Sequence, residues 1–464
     1  MHRSITVLLA AFVLGCNDKA ADDTGTGTFA HTLFVGLDGS IVSYDIATWE
    51  QRSGAISDAD TPTDLYALSD GHLLVHFTGR NEVAAIDGRA MTEVGRWDSS
   101  NLGATRPIHA YITPEIDGEQ YWLALNDGDG TAATSSVQLI DVAPESATFL
   151  TAVGEIALGA GHHTGGLSPD SQRAILGSLN DCDAPLTVVD YSDATNPSAV
   201  LAITAEDLGF DGSSFSTTCD PTYAAGLPVS PNGCGTSTVS GKTYCNISTP
   251  GNILALDLDN PSAWTTIATS GSDGGYTEAH PEGRYIYSVQ GVPREGDENN
   301  PGATCQVGQL VTIDASTDTV VSEVPMLLDG PDCTRSVVGT DEETDEPNKI
   351  VINHEGSRLF ITLAGGFGDT EARVRMLPVY DLSDPAAPVQ EASVATGDSS
   401  GFLGTTLSGD GSLYFVTDNI DNTITVIDAD TLAVTETLAV DGTPKTVASY
   451  GDAEGPSHQH GPLE

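Results

Sequence analysis

The chain is short of positive charge. Lys and Arg total 17 against 66 Asp and Glu, a formal net charge of −49 at pH 7 over 464 residues. The acids are scattered along most of the chain rather than gathered in a tail, so the imbalance belongs to the surface. Such a surface repels phosphate backbones and anionic lipid headgroups, which excludes bare nucleic acid and direct binding to headgroups. Apolar runs long enough to span a membrane are missing, and helical spacing over a dozen residues is nearly absent after the N-terminus. There is no Cys-x-x-Cys, which leaves a zinc ribbon or a thioredoxin-type centre unsupported. Gly-x-Ser-x-Gly, His-Glu-x-x-His and a phosphate-binding glycine loop are absent too, so no local catalytic motif fixes a reaction.

What the chain does have is turns. Gly 50 and Pro 24, with many Asp, Asn, Ser and Thr, separate short runs rich in Val, Ile, Leu, Thr and Tyr, the pattern of an all-β protein. The length exceeds that of one compact core, so a repeat in which each unit buries its neighbour is expected. An apolar strand ending in Asp recurs: "IVSYD" (Asp45), "VAAID" (Asp87), "VQLID" (Asp141), "LTVVD" (Asp190), "ILALD" (Asp257), "LVTID" (Asp314), "LPVYD" (Asp381) and "ITVID" (Asp428). Turns such as "LSDG", "LSPDS", "AHPEG", "NHEG" and "LSGDG" precede most copies. Units of roughly 40 to 65 residues with four strands predict a single β-propeller over 32–450. The copies number eight, and the spare strand "PKTVASY" (444–450) is expected to pair with the first blade, "TLFVGL" (32–37), and close the ring.

The stretch "LYFVTDNIDNTITVIDADTLAVTETLAVDGTPKTVA" resembles the bacterial YVTN-repeat propellers, among them lactonase-like members: Tyr414, Val416, Thr417, Ile427, Asp428, Gly442 and Pro444 match, with Asp418 in place of Asn. The resemblance implies a propeller, usually of seven blades, and no common activity. The first segment, "MHRSITVLLAAFVLGC", has Arg3 before a short apolar run, and Val13–Cys16 resembles the lipobox of bacterial lipoproteins. That resemblance implies a signal peptide at 1–15, lipidation of Cys16 and a protein of the cell envelope, outer membrane by the usual sorting convention, attached to the membrane through its lipid alone. Residues 16–31 read as a flexible tether reaching at most roughly 50 Å, and 451–464, with "HQH", as a disordered tail.

The other cysteines, Cys182, Cys219, Cys234, Cys245, Cys305 and Cys333, read as disulfides in an exported chain. The pairing expected is Cys182–Cys219, Cys234–Cys245 and Cys305–Cys333, each stapling one irregular region. The candidates for ligand or metal binding are His109, His162, His163, His280 and His354. His109 and the pair in "GHHTGG" precede a turn and are expected near the channel mouth, where imidazoles could hold zinc or copper. Adjacent histidines on a strand point to opposite faces, so one of the pair, His163, is expected to face the axis. His280 and His354 lie later in their repeats and belong to another level. No cofactor is fixed; calcium in the acidic stretches 126–130, 295–300 and 341–346, or a transition metal at the histidines, are the candidates. The reading that results is a monomeric binding platform for a protein or small molecule at one rim. The alternative is a lactonase-like or metal-dependent enzyme, for which Glu278, His280 and Arg284 share one blade.

Overall fold

The structure, a computed structural model, describes residues 31–450 apart from gaps of up to three residues and the stretches 114–117, 209–230, 248–251, 296–303, 327–345, 365–375 and 397–403. The expected signal peptide, most of the tether and the tail therefore lie outside the described residues. Within them the chain forms strands β1 to β32, arranged as eight antiparallel sheets of four strands. Seven sheets follow the chain in order, from β4–β7 to β28–β31. The eighth has the order β3-β2-β1-β32, with β1 (Thr32–Leu37) paired to β32 (Pro444–Tyr450) from Thr32 opposite Tyr450 to Leu37 opposite Pro444. This is an eight-bladed β-propeller closed as its sequence predicts, with one blade more than its resemblance implies. Blade 1 is the composite sheet, and blades 2 to 8 follow it.

The core is divided into eight apolar clusters, one at each seam between neighbouring blades. Strand β1 shows why: Leu33, Val35 and Leu37 pack with Phe415 and Ile424 of blade 8, while Phe34 packs with Leu65 and Leu73 of blade 2. Alternation along the strand thus buries both faces, which is why its residues are apolar throughout. At Gly36 the blades approach so closely that a Cβ would lie 2.8 Å from Pro62.

The recurrent Asp has one duty in all eight blades. It ends the third strand from the axis and accepts backbone N–H groups of the following turn, as Asp87 Oδ1 does from Arg89 and Ala90, and Asp428 Oδ1 from Asp430 and Thr431. Several of these aspartates also bind an arginine, among them Asp314 to Arg284 at 2.8 Å and Asp190 to Arg173 at 2.8 Å. Arg284 therefore supports its turn.

The up-and-down order sends connections of two kinds to opposite ends. Turns from first to second and third to fourth strands gather at a turn end, as in Leu407 to Leu413 and Asp428 to Val434. The longest connections, Ile203 to Pro231, Pro325 to Glu346 and Ala364 to Met376, start and finish at the other, the loop end.

Cys234 and Cys245 face each other across β16 (Pro231–Thr236) and β17 (Thr243–Ile247), with Cα atoms 4.3 Å apart, and form a disulfide. Cys182, Cys219 and Cys333 lie outside the described residues, and Cys305 sits on β22 (Thr304–Asp314) opposite Arg294. Because the bridge closes a short loop, replacing both Cys234 and Cys245 by serine is expected to lower stability by about 2–3 kcal/mol in denaturant unfolding, with the fold retained. Removing β32 by ending the chain before Pro444 has a larger effect. It strips β1 of its partner inside an apolar seam, and cooperative thermal unfolding is expected to be lost, with aggregated material appearing on gel filtration.

Candidate functional site

The innermost strands are β4 (Pro62–Ala67), β8 (Pro107–Ile112), β12 (Gly165–Leu167), β16, β20 (Asp273–Ala279), β24 (Glu346–Ile352), β28 (Thr405–Leu407) and β32. In seven of them a shared hydrogen bond marks the register. The N–H of Leu68, Thr113, Ser168, Ser237, His280, Asn353 and Ser408 each closes the turn into the second strand. Four residues before those donors stand Asp64, His109, Thr164, Gly233, Tyr276, Lys349 and Gly404. Two residues before them stand Tyr66, Tyr111 and Glu278, with small or apolar residues on the other blades. Most of these strands carry a register shift beside the first tier, at Pro62/Asp64, Pro107/His109, Asn232/Cys234, Gly274/Thr277 and Pro347/Ile350. Such bulges re-aim side chains.

The side chains of this double ring are buried: Asp64 is 5 % exposed, Lys349 3 %, His109 3 % and Tyr276 7 %. They also feel one another across the axis. Burial pushes the Asp64 carboxyl above the ordinary carboxylate range and the Lys349 ammonium below that of an ordinary lysine, and each charge partly offsets the shift of the other. Lys349 Nζ stands 6.0 Å from the centre of the Tyr276 ring. Burial raises the Tyr66, Tyr111 and Tyr276 hydroxyls, the nearby Asp64 charge adding to it. Glu278 is half-buried on its inner strand, and desolvation pushes its carboxyl up to about 8 against one N–H from Ala279.

Two tyrosines also tie blades together. The Tyr66 hydroxyl donates to the Ala110 carbonyl at 2.7 Å and lies 3.1 Å from Asp64 Oδ2. The same hydroxyl faces Asp64 Oδ2 as a donor, which favours the carboxylate and opposes part of the rise that burial imposes on it. Tyr111 accepts the N–H of Gly165 in blade 4 at 2.6 Å. The axis therefore holds one lysine, two carboxyls able to bind protons, a histidine and three phenols. That set can exchange protons and recognise a small polar ligand.

The candidates from the sequence divide between the two ends. His109 stands on β8 in the tier of Asp64 and Lys349. His162 and His163 lie outside the described residues. His280 is at the turn end: Nδ1 accepts the Glu282 N–H at 3.2 Å and Nε2 donates to the Gly356 carbonyl of blade 7 at 2.9 Å. Both ring nitrogens are thereby occupied in holding two blades together. His354 packs against Gly411 of blade 8 in the same belt of turns. Among the described residues no three His, Cys, Asp or Glu side chains converge as a metal site. Of the acidic stretches, 296–300 and 341–345 lie outside the described residues, and Asp129 is bound by the Thr134 hydroxyl at 2.7 Å.

Asp64, Tyr66, Tyr276 and Lys349 were not singled out by motif. Their common distance from the turn is visible in the sequence, but it gains meaning only once the ring is closed. His76 was missed as well. It is fully buried opposite Asp64, its ring centre 4.9 Å from that of Trp122 with the two planes tilted, and burial pushes its imidazole down to about 4, the Ile108 backbone and the Asp127 charge opposing part of that push.

The class defined by this geometry is an eight-bladed propeller with a polar, proton-binding axis. The solved structures most like it include apo AztD from Citrobacter koseri (13 % identity, TM-score 0.54, covering 90 % of this chain and 97 % of that one). A second structure of Citrobacter koseri AztD is similar (12 %, 0.53, 90 % and 97 %), as is Kuenenia stuttgartiensis hydrazine synthase (15 %, 0.49, 79 % and 95 %). At these identities the likeness is one of fold. No family model and no curated protein sequence matches the chain.

The buried titrating groups set opposite pH dependences. His76 binds its proton more weakly when folded, so its contribution is complete above 6.5 and is lost as pH falls towards about 4, up to about 3 kcal/mol. Replacement by Phe, which keeps an aromatic ring beside Trp122, should flatten that acid limb. Glu278 binds its proton more tightly when folded, so stability declines as pH rises from 4.5 through about 8. Glu278→Gln should raise the melting temperature at the alkaline end and leave it nearly unchanged at the acid end. Melting curves across pH check both.

Proposed function

We propose that this protein is a binding platform, held outside the cytoplasm by a lipid on Cys16, that meets its ligand at the loop end of the propeller. The observation that carries the reading is the polarity of the fold. Strand β1 begins and β32 ends at the turn end, where Thr32 lies opposite Tyr450. An anchor preceding β1 therefore holds the turn end and leaves the loop end, with its long connections, facing away. Turning the loop end to the membrane would require the chain before β1 to run over the rim and down the height of a strand. That path takes up most of the roughly 50 Å available to the tether. Loops on a rigid scaffold are where binding residues are usually carried, and the surface charge favours a partner that presents basic groups.

A small-molecule reading within the same class is supported by the axial tiers, which place Lys349, Asp64 and three tyrosine hydroxyls around one line. A catalytic or metal-dependent use of the channel mouth has less behind it, since His109 is the one candidate histidine that the described residues place at that level.

Two measurements check the reading. Cys16→Ser should move the protein from the membrane to the soluble fraction with its circular dichroism spectrum unchanged; retention in the membrane would remove the lipid anchor from the account. A photo-crosslinking residue at exposed Asp38, in the β1–β2 turn of the loop end, should capture a partner in cells. The same residue at exposed Asp430, at the turn end, should not. Equal capture at both positions would contradict a one-sided platform.

A further inference from the structure

The turn between β29 (Leu413–Asp418) and β30 (Thr423–Asp428) joins the second and third strands of blade 8 at the loop end, beside the seam with blade 1. Its sequence is Asp418-Asn419-Ile420-Asp421-Asn422. Asp418 is 1 % exposed, and its Oδ1 accepts the N–H groups of Ile420 and Asp421 at 2.9 and 3.0 Å. That oxygen shapes the turn. The other carboxylate oxygen, Asp418 Oδ2, is buried and has no donor, and the same holds for Asn419 Oδ1 and Asn422 Oδ1.

Three buried acceptors without a donor inside five residues are costly, at about 1–3 kcal/mol each when left unmet. Blade 2 shows how the same position is ordinarily satisfied. Asn81 precedes the third strand there as Asn422 does in blade 8, both with positive φ (61° and 54°), and each backbone carbonyl accepts an N–H from the far end of the fourth strand. The Asn81 side-chain oxygen, however, accepts the Arg106 N–H at 2.8 Å, from the chain on its way into blade 3. Asn422 has no such donor. Meeting all three with water takes more than one molecule, since each brings two hydrogens, whereas a cation bound in the turn needs no donor at all. One carboxylate and two amide carbonyls are hard oxygen ligands of the kind calcium takes, with waters completing its shell.

We infer that the turn 418–422 binds a calcium ion through Asp418 Oδ2, Asn419 Oδ1 and Asn422 Oδ1. The site lies in a different turn from the acidic stretches considered in the sequence and is independent of the axial residues. Three protein ligands in a partly open turn correspond to the weak, extracellular range of calcium affinity, about 10⁻⁴ to 10⁻³ M. The surplus of negative charge raises the local cation concentration. Bound there, the ion would stiffen the loop end where the ring is closed.

The test uses the full chain, stripped of metal and titrated with CaCl2 by calorimetry, with MgCl2 and NaCl at matched ionic strength as comparisons. Asn422→Gly removes one ligand at a position whose positive φ suits glycine, so the fold is kept. Asp418→Asn removes the charge while leaving an oxygen to accept the Ile420 and Asp421 N–H groups. The expected result is that wild type binds one more equivalent of calcium than either variant and gains thermal stability in millimolar CaCl2. Each variant should lose at least tenfold in affinity for that equivalent while melting near the wild-type temperature without metal. Equal stoichiometry and equal calcium-induced stabilisation in wild type and both variants would overturn the assignment, as would a preference for magnesium. If Asp418→Asn fails to fold, Asn422→Gly decides alone.

Discussion

The pairing of β1 with β32 is the constraint on which the rest of this molecule depends. Each blade is a four-stranded sheet with apolar side chains on both faces, and such a sheet has no stable existence apart from its neighbours. Closure gives every blade two neighbours and removes the bare edge that β1 would otherwise present within a seam. Leu33, Val35 and Leu37 can then be buried against blade 8 while Phe34 is buried against blade 2. Closure also turns equal distances along the chain into proximity in space, because the same register position on each inner strand must then face the axis.

The axial tiers are the consequence of that geometry. Asp64 and Lys349 are separated by most of the sequence yet feel each other's charge, and Tyr111 and Tyr276 reach the same centre from blades 3 and 6. Burial is the dominant influence on every one of these groups, and it pushes acids up and the lysine down, towards the neutral forms. The loop end inherits this axis together with the long connections, whereas the turn end is tied by a belt of side-chain-to-backbone contacts such as Ser237 to Gly283 and His280 to Gly356.

Much of the architecture could be read along the chain. The apolar-Asp ending gave the number of blades, since that Asp answers a local need: the N–H groups of the next turn lie two and three residues on. The strand 444–450 stood out as the closing strand because the first blade lacked its inner member. Cys234 and Cys245 flank a short turn and so face each other in the hairpin. The candidate site was less legible. His280 and His354 looked like ligands by type, yet they hold turns of adjacent blades, a role that depends on neighbours more than fifty residues away. Lys349 showed no motif at all.

The sequence by itself thus determined what is local in this protein: strand alternation, turn chemistry, the eightfold repeat and the spare strand that closes it, because these interactions span only a few residues or recur as copies. The tertiary structure alone decided which side chains share the axis, which of their protons are held by burial, and which buried oxygens in the turn 418–422 are left without a donor. Desolvation and charge coupling are set by the surroundings of a group, and for a residue on an inner strand those surroundings come from the other blades.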